Sequence, residues 1–268
     1  MSGGSGRSRA GGDGDWVYAP EVLPLSLCDY PGEPAIVVFF SGCNYRCGYC
    51  QNWKLRTQEE SHRTDLRRIL EFLGGSKTVC ACKVTGGEPL LQLDPLKRIA
   101  ARAKSLGLRF GVDTNGTMPE RLSEMLPLLD LVSIDIKTSL DDSEYEKVTG
   151  VPEPRSRKVV ESIRLALSSE AYVDLRMVII PGVNDAPRIA RSVAAKLKEL
   201  GYDNKADKGE ARFTLVEFVP ENAGCEEYSK MRNPSVGELK ALARLIDLRN
   251  VRVTHRALGH SVKLEEIP

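Results

Sequence analysis

The chain has 268 residues, 41% of them hydrophobic and 28% charged, with a formal net charge of +1. This is the balance of a soluble globular protein able to bury one large core; near-neutral charge gives no argument for nucleic-acid or membrane binding, and no apolar run approaches the ~20 residues of a membrane helix. Of the seven cysteines, three lie within eight residues, and no apolar leader precedes them; both features argue for metal chemistry in a reducing cytoplasm rather than a disulfide framework.

Residues 1–20 open with Gly, Ser, Arg and Asp and are expected to form a disordered tail, leaving 21–268 as one domain. Ala35–Phe40 is a continuous apolar run, the pattern of a strand buried on both faces. Further strands are predicted at Thr78–Val84, Leu108–Val112, Leu131–Ile136, Tyr172–Ile180, Phe213–Val219 and Val251–Thr254. Helices fall between them, over Asp65–Leu73, Pro119–Leu128 and Arg157–Ser168. Asp94 as N-cap and Pro95 at the first position predict another, ending at Gly107. Ile189, Val193, Leu197 and Leu200 recur at helical spacing before Gly201, and Ser235 with Glu238 forms a capping-box pattern. Regular strand–helix alternation implies an α/β fold with a mainly parallel sheet. About six such units fall short of a closed eight-fold barrel, so a partial (β/α)6 TIM-like barrel is expected, with ligands at the C-terminal ends of its strands.

The polar motifs lie at those ends. After the first long strand, Cys43, Cys47 and Cys50 share one short loop. Three thiolates can hold three irons of a [4Fe–4S] cluster, and with no fourth Cys at similar spacing the last iron keeps an open site. A zinc site with His62, or a redox pair of Cys47 and Cys50, are the competing readings. Thr85-Gly86-Gly87-Glu88-Pro89 ends the second strand; paired glycines admit close backbone approach, and Glu88 can accept from a cationic amine. Asp113-Thr114-Asn115-Gly116 ends the third. Asp135 and Lys137 end the fourth on one side of the chain, costly in an apolar strand unless paired or functional. Arg176 is the only charge between Leu175 and Ile180, before Pro181-Gly182. Cys80 and Cys82 read as core residues, Cys28 and Cys225 show no partner spacing, and no role is assigned to His255 or His260.

With Tyr49 just before the last Cys, this loop resembles the radical SAM (S-adenosylmethionine) superfamily. The resemblance implies that SAM chelates the open iron and is reductively cleaved to a 5′-deoxyadenosyl radical. It further implies that Gly86, Gly87 and Glu88 bind the SAM amino group, that Asp113 and Thr114 help bind a monovalent cation beside its carboxylate, and that Asp135, Lys137 and Arg176 line its site. Leu25-Ser26-Leu27-Cys28-Asp29-Tyr30-Pro31-Gly32 resembles the entry segment of anaerobic ribonucleoside-triphosphate reductase activating proteins, glycyl-radical activases similar to pyruvate formate-lyase activase. The likeness continues through Glu144, Tyr145, Thr149 and Gly150 to Asp185, with Gln51 standing where many activases carry His. Only 35 residues separate Cys50 from Gly86, too few for a ferredoxin-like insert. The resemblance implies a glycyl-radical enzyme as partner, a flavodoxin or ferredoxin as reductant, and a cytoplasmic location. Another radical SAM enzyme, acting on RNA, a cofactor precursor or another small molecule, and a non-catalytic iron–sulfur or zinc module are the alternatives. The polar loop 221–233 is a candidate for docking the partner.

Overall fold

The computed structural model describes residues 15–267 except positions 77, 154 and 260. In chain order its strands are β1 (Trp16–Tyr18), β2 (Glu21–Ser26), β3 (Ala35–Phe40), β4 (Arg63–Asp65), β5 (Ala81–Gly86), β6 (Arg109–Thr114), β7 (Leu131–Asp135), β8 (Tyr172–Ile179), β9 (Ala211–Glu217), β10 (Val251–Thr254) and β11 (Ser261–Lys263). The helices are α1 (Leu66–Gly75), α2 (Leu93–Ser105), α3 (Pro119–Met125), α4 (Asp142–Thr149), α5 (Ser156–Leu167), α6 (Pro187–Glu199), α7 (Tyr202–Asp207), α8 (Glu226–Ser229) and α9 (Val236–Ala243).

One sheet runs β11-β10-β9-β8-β7-β6-β5-β3-β2. Its inner strands, β3 and β5 to β10, pair in parallel, as the alternating pattern requires. Antiparallel β2 and β11 edge it, leaving an open, partial barrel. Sequence periodicity misses β2 because Pro24 interrupts it, the pairing register shifts between Leu23 and Ser26, and Leu25 and Leu27 are exposed; a proline and a bulge belong on an edge strand. The expected tail is shorter at its end: β1 pairs with β4 and buries Val17, whereas residues 1–14 lie outside the described residues. His260 also lies outside them. No helix among the described residues is long and apolar enough to cross a membrane.

Two-fold alternation divides each parallel strand between helices and barrel interior. Ile36, Val38, Cys82, Val84, Phe110, Val112, Val132, Ile134, Val173 and Leu175 belong to the main core, buried where the helices pack on the sheet. Inside, near the strand starts, Tyr30, Ala35, Ala81 and Leu131 form a small apolar plug with Tyr172 against it. Gly111 makes room for it: a Cβ there would lie 3.0 Å from the Tyr30 ring. Above the plug the interior becomes charged, through Lys83, Asp113, Asp135, Asp174, Arg176 and Arg212.

Two helix starts refine the expectations. The stretch leading to α2 begins earlier than Asp94, because the Glu88 carboxylate caps a short turn at Pro89–Gln92 and α2 follows at Leu93. Pro95 then sits in the first turn, where its missing N–H costs nothing. The Ser235–Glu238 capping box forms as read. Cys82 is fully buried, but Cys80 precedes β5 and is exposed, so only one of the pair is a core residue.

Candidate active site

The cysteine loop leaves β3 and is strapped down on several sides. Gly42 N–H donates to the Leu55 carbonyl at 2.7 Å and Cys43 N–H to Arg56 at 3.0 Å. Glu88 N–H donates to the Gly42 carbonyl at 2.7 Å, and Asn52 Nδ2 to Gly86 O at 3.3 Å, tying the loop to the paired glycines. Asn115 Nδ2 donates to Asn44 Oδ1 at 2.7 Å, joining it to the turn after β6. Arg46 N–H donates to the Thr149 carbonyl at the end of α4, where Gly150 takes φ +67° and a Cβ would meet Arg46 O at 2.9 Å. The likeness at Tyr145, Thr149 and Gly150 therefore has a structural meaning: the end of α4 props the loop, and the Tyr145 hydroxyl accepts from Lys137 N–H at 3.2 Å.

The paired glycines are there for space. A Cβ on Gly87 would lie 2.1 Å from Gly42 O, and one on Gly86, at φ +113°, would lie 2.2 Å from Phe40 O. Gly87→Ala must push the cysteine loop away from β5. We expect it to cost about 1–3 kcal/mol in chemical unfolding, the range for overpacking, and to lower iron retained after reconstitution.

One cavity of about 250 Å³ opens at these strand ends. Cys43, Cys47, Tyr49 and Cys50 line one wall, with Gly86 and Gly87 beside them and Asp113, Thr114, Asp135, Lys137 and Arg176 opposite. Of the residues expected to hold the cluster or to bind SAM, Glu88 alone is not on its surface. Glu88 is fully buried; its Oε1 accepts from Leu90 N–H at 3.0 Å and Thr114 Oγ1 at 2.9 Å, and its Oε2 from Asn115 N–H at 2.7 Å. These three hydrogen bonds make Glu88 a fixed point between the turns after β5 and β6.

Burial pushes the Glu88 carboxyl up to about 7, against the opposing pull of those three donors. Between its ordinary value and about pH 7 the folded protein holds a proton that the unfolded chain has released. Stability therefore falls as pH rises through that window, by about 3 kcal/mol in all. Denaturant unfolding at several pH values should show this slope in the wild type and its loss in Glu88→Gln.

The opposite wall is a chain of ion pairs. Asp113 Oδ1 lies 2.7 Å from both Lys83 Nζ and Arg176 Nη2. Asp135 faces Lys137 Nζ at 2.9 Å and Arg176 Nε at 3.5 Å, and Arg212 grips Asp174 with two hydrogen bonds of 2.8 and 2.7 Å. Strand register sets these pairs: Asp135 stands across from Arg176, and Asp174 from Arg212. Along this row four cations face three carboxylates, and the buried Arg176 Nε has no hydrogen-bond partner among the described residues. Lys137 and Arg176 line the cavity, and a cation there whose Nε–H lacks a hydrogen-bond partner among the described residues suits an anionic ligand group. Burial pulls the Lys137 ammonium down, but Asp135, Tyr49 and Cys47 outweigh it and keep the lysine charged.

The three thiols of the loop line the same cavity. Burial pushes Cys43 up to about 12 and Cys47 up to about 11, with Lys137 pulling Cys47 back. Buried thiols of this kind become ligands when metal charge replaces their protons. The zinc alternative finds no fourth ligand in His62, a half-buried residue whose Nδ1 lies 3.2 Å from Thr57 O and which does not line the cavity. Among the described residues no three His, Cys, Asp or Glu side chains are gathered as a single-ion site. Loop 221–233 uses its inner side here: Tyr228 packs on Tyr49 and Phe218 at ring distances of 6.0 and 6.3 Å, and a Cβ on Gly48 would meet Cys225 Sγ at 3.0 Å. It is a strap over the cysteine loop, with Glu226, Glu227 and Lys230 on its exposed side.

The profile of the Radical SAM superfamily matches residues 37–193. A Methanocaldococcus jannaschii protein named as a glycyl-radical enzyme activating enzyme is 31% identical over 229 residues, covering 84% of this chain and 89% of its own. The pyruvate formate-lyase-activating enzyme of Clostridium pasteurianum is 30% identical over 78% of this chain and 84% of its own. Among solved structures, a radical SAM methyltransferase from Sphaerobacter thermophilus shares the fold with a TM-score of 0.65 at 17% identity, covering 85% of this chain and 68% of that one.

Proposed function

Because the chain belongs to the radical SAM superfamily, we propose that it activates a glycyl-radical enzyme, and that its target is an anaerobic ribonucleoside-triphosphate reductase. Its cofactors are those of the superfamily, a [4Fe–4S] cluster and SAM. When bound, they supply a reductively cleavable sulfonium and so the hydrogen-abstracting power that no side chain has. Cys43, Cys47 and Cys50 hold the cluster in this reading. The bare backbone of Gly86 and Gly87 lets SAM approach closely, while Lys137 and Arg176, steadied by Asp135 and Asp113, receive its carboxylate. Tyr49 and Thr114 complete the walls of the same cavity.

The observation that carries this reading is the meeting of the cysteine loop and the Asp113–Arg176–Asp135–Lys137 row on one cavity at the strand ends. The names of the relatives support a glycyl-radical enzyme as the target; the choice of the reductase among such enzymes rests on the entry segment Leu25–Gly32 alone. Asp29 of that segment lines the same cavity, which supports a role for the segment near the site in this reading. A small electron carrier such as flavodoxin or ferredoxin reduces the cluster, and the cytoplasm is the compartment in this reading.

The test is anaerobic reconstitution with SAM, a reductant and the same organism's anaerobic ribonucleotide reductase, followed by EPR. A glycyl doublet that requires SAM supports the proposal. No doublet, with 5′-deoxyadenosine still accumulating, would reassign the enzyme to RNA, a cofactor precursor or another small molecule.

A further inference from the structure

Lys83 is a charged residue in the middle of β5, and its side chain is 1% exposed. Its ammonium is held by two hard oxygens, Asp113 Oδ1 at 2.7 Å and the Asp29 carbonyl at 2.6 Å. Carboxylate and main-chain carbonyl oxygens are the ligands that a monovalent metal ion takes. Thr114, beside Asp113, has turned its hydroxyl proton to Glu88 Oε1 and its oxygen to Gly116 N–H, so it too is engaged within the protein. The carboxylate that the resemblance assigns to a bound cation is therefore already paired with a buried ammonium lying behind the cavity wall. A buried ammonium is costly unless paired, which argues that this one is retained for its charge.

We infer that Lys83 is a positioning residue acting as a built-in monovalent cation: it neutralises Asp113, pins the Asp29 segment to the barrel, and thereby fixes how Arg176 faces the cavity, so that SAM binding needs no added sodium or potassium ion. The inference rests on the reading of this cavity as the SAM site. It separates Arg176, which faces ligand, from Lys83, which acts on ligand only through Asp113. It also gives the entry segment a fixed attachment to the site, through the Asp29 carbonyl.

The experiment compares wild type and Lys83→Met in buffers whose only added cation is choline, sodium or potassium. Two quantities are read: thermal unfolding of the cluster-free protein, and SAM affinity of the reconstituted protein by calorimetry. Wild type should show the same melting curve in all three buffers and SAM dissociation constants within about twofold of one another. Lys83→Met in choline should melt lower and bind SAM at least about tenfold more weakly, with sodium or potassium restoring much of both. Choline-sensitive SAM binding by the wild type would overturn the inference. So would a folded Lys83→Met that binds SAM normally in choline, or one whose loss no metal cation reverses. If Lys83→Met does not fold, the wild-type cation series still decides. If wild type binds no SAM in any buffer, the functional reading fails, while the unfolding arm still decides the role of Lys83.

Discussion

Asp113→Asn is expected to destabilise the protein by about 3–5 kcal/mol, the cost of breaking a buried ion pair from one side. Asp113 is the one carboxylate shared by Lys83 and Arg176, each 2.7 Å away, and its side chain is only 14% exposed. Burial pushes its carboxyl up, but Arg176 and Lys83 outweigh that and hold it well below the usual carboxylate range. A depressed acid contributes stability that is complete above its unfolded value and is lost only as pH falls through the folded one. The wild type therefore keeps this contribution at every pH from about 4 upward. In the Asn variant Lys83 and Arg176 lose the carboxylate they share, and Arg176 keeps only the longer pair with Asp135 at 3.5 Å. Burial already lowers the Lys83 ammonium, with Asp113 opposing the drop. Without Asp113 it falls further, and the folded state binds fewer protons than the unfolded chain up to the ordinary lysine range. The variant should therefore gain stability as pH rises from neutral toward about 10, more steeply than wild type. Adding Lys83→Met should recover part of the loss, because the uncompensated ammonium is then gone. Denaturant unfolding of the two single variants and the double variant measures the coupling directly. A loss in Asp113→Asn that the second change leaves untouched would mean that Arg176, not Lys83, depends on Asp113.

What the sequence reveals of this protein, and what it hides, follows from how each signal is encoded. A strand buried on both faces, such as Ala35–Phe40, reads as an apolar run because both the helices and the barrel demand it. The cysteine loop is legible because three metal ligands on one loop need a fixed local spacing. Lys83 is hidden by the same logic: one lysine among Ala81, Cys82 and Val84 looks like a solvent-facing position. Only its ion pair with Asp113 and its hydrogen bond to the Asp29 carbonyl show otherwise. Its only sequence signal is a charge one turn of alternation before Thr85-Gly86-Gly87. Glu88 is legible as important, but its direction is not. A carboxylate after two glycines can face outward or turn back as a cap, and only the folded chain shows its bonds with Leu90, Thr114 and Asn115. The Asp113–Arg176 pair joins strands far apart in sequence and needs the sheet order to be seen.

Cys47→Ala should abolish cluster retention and SAM cleavage while leaving a folded chain. Cys47 lies on a loop, not in a strand or helix, and loss of its buried sulfur costs about 1 kcal/mol as a small cavity. With burial pushing this thiol up to about 11 and Cys43 up to about 12, the cluster-free protein carries these thiols protonated at neutral pH. Cluster assembly must release those protons, so retention against a chelator should strengthen as pH rises from 6 to 9, by up to about tenfold per pH unit for each proton released. Lys137 is the largest charge favouring the thiolates of Cys47 and Cys50. Lys137→Met should therefore shift the retention curve to higher pH and, in the proposed site, weaken SAM binding as well. Iron per chain after chelator challenge across pH separates the two effects. Cys47→Ala should read zero at every pH, whereas Lys137→Met should recover toward wild type in alkaline buffer. A Lys137→Met curve that overlays wild type would show that the ammonium serves the ligand alone and not the thiolates.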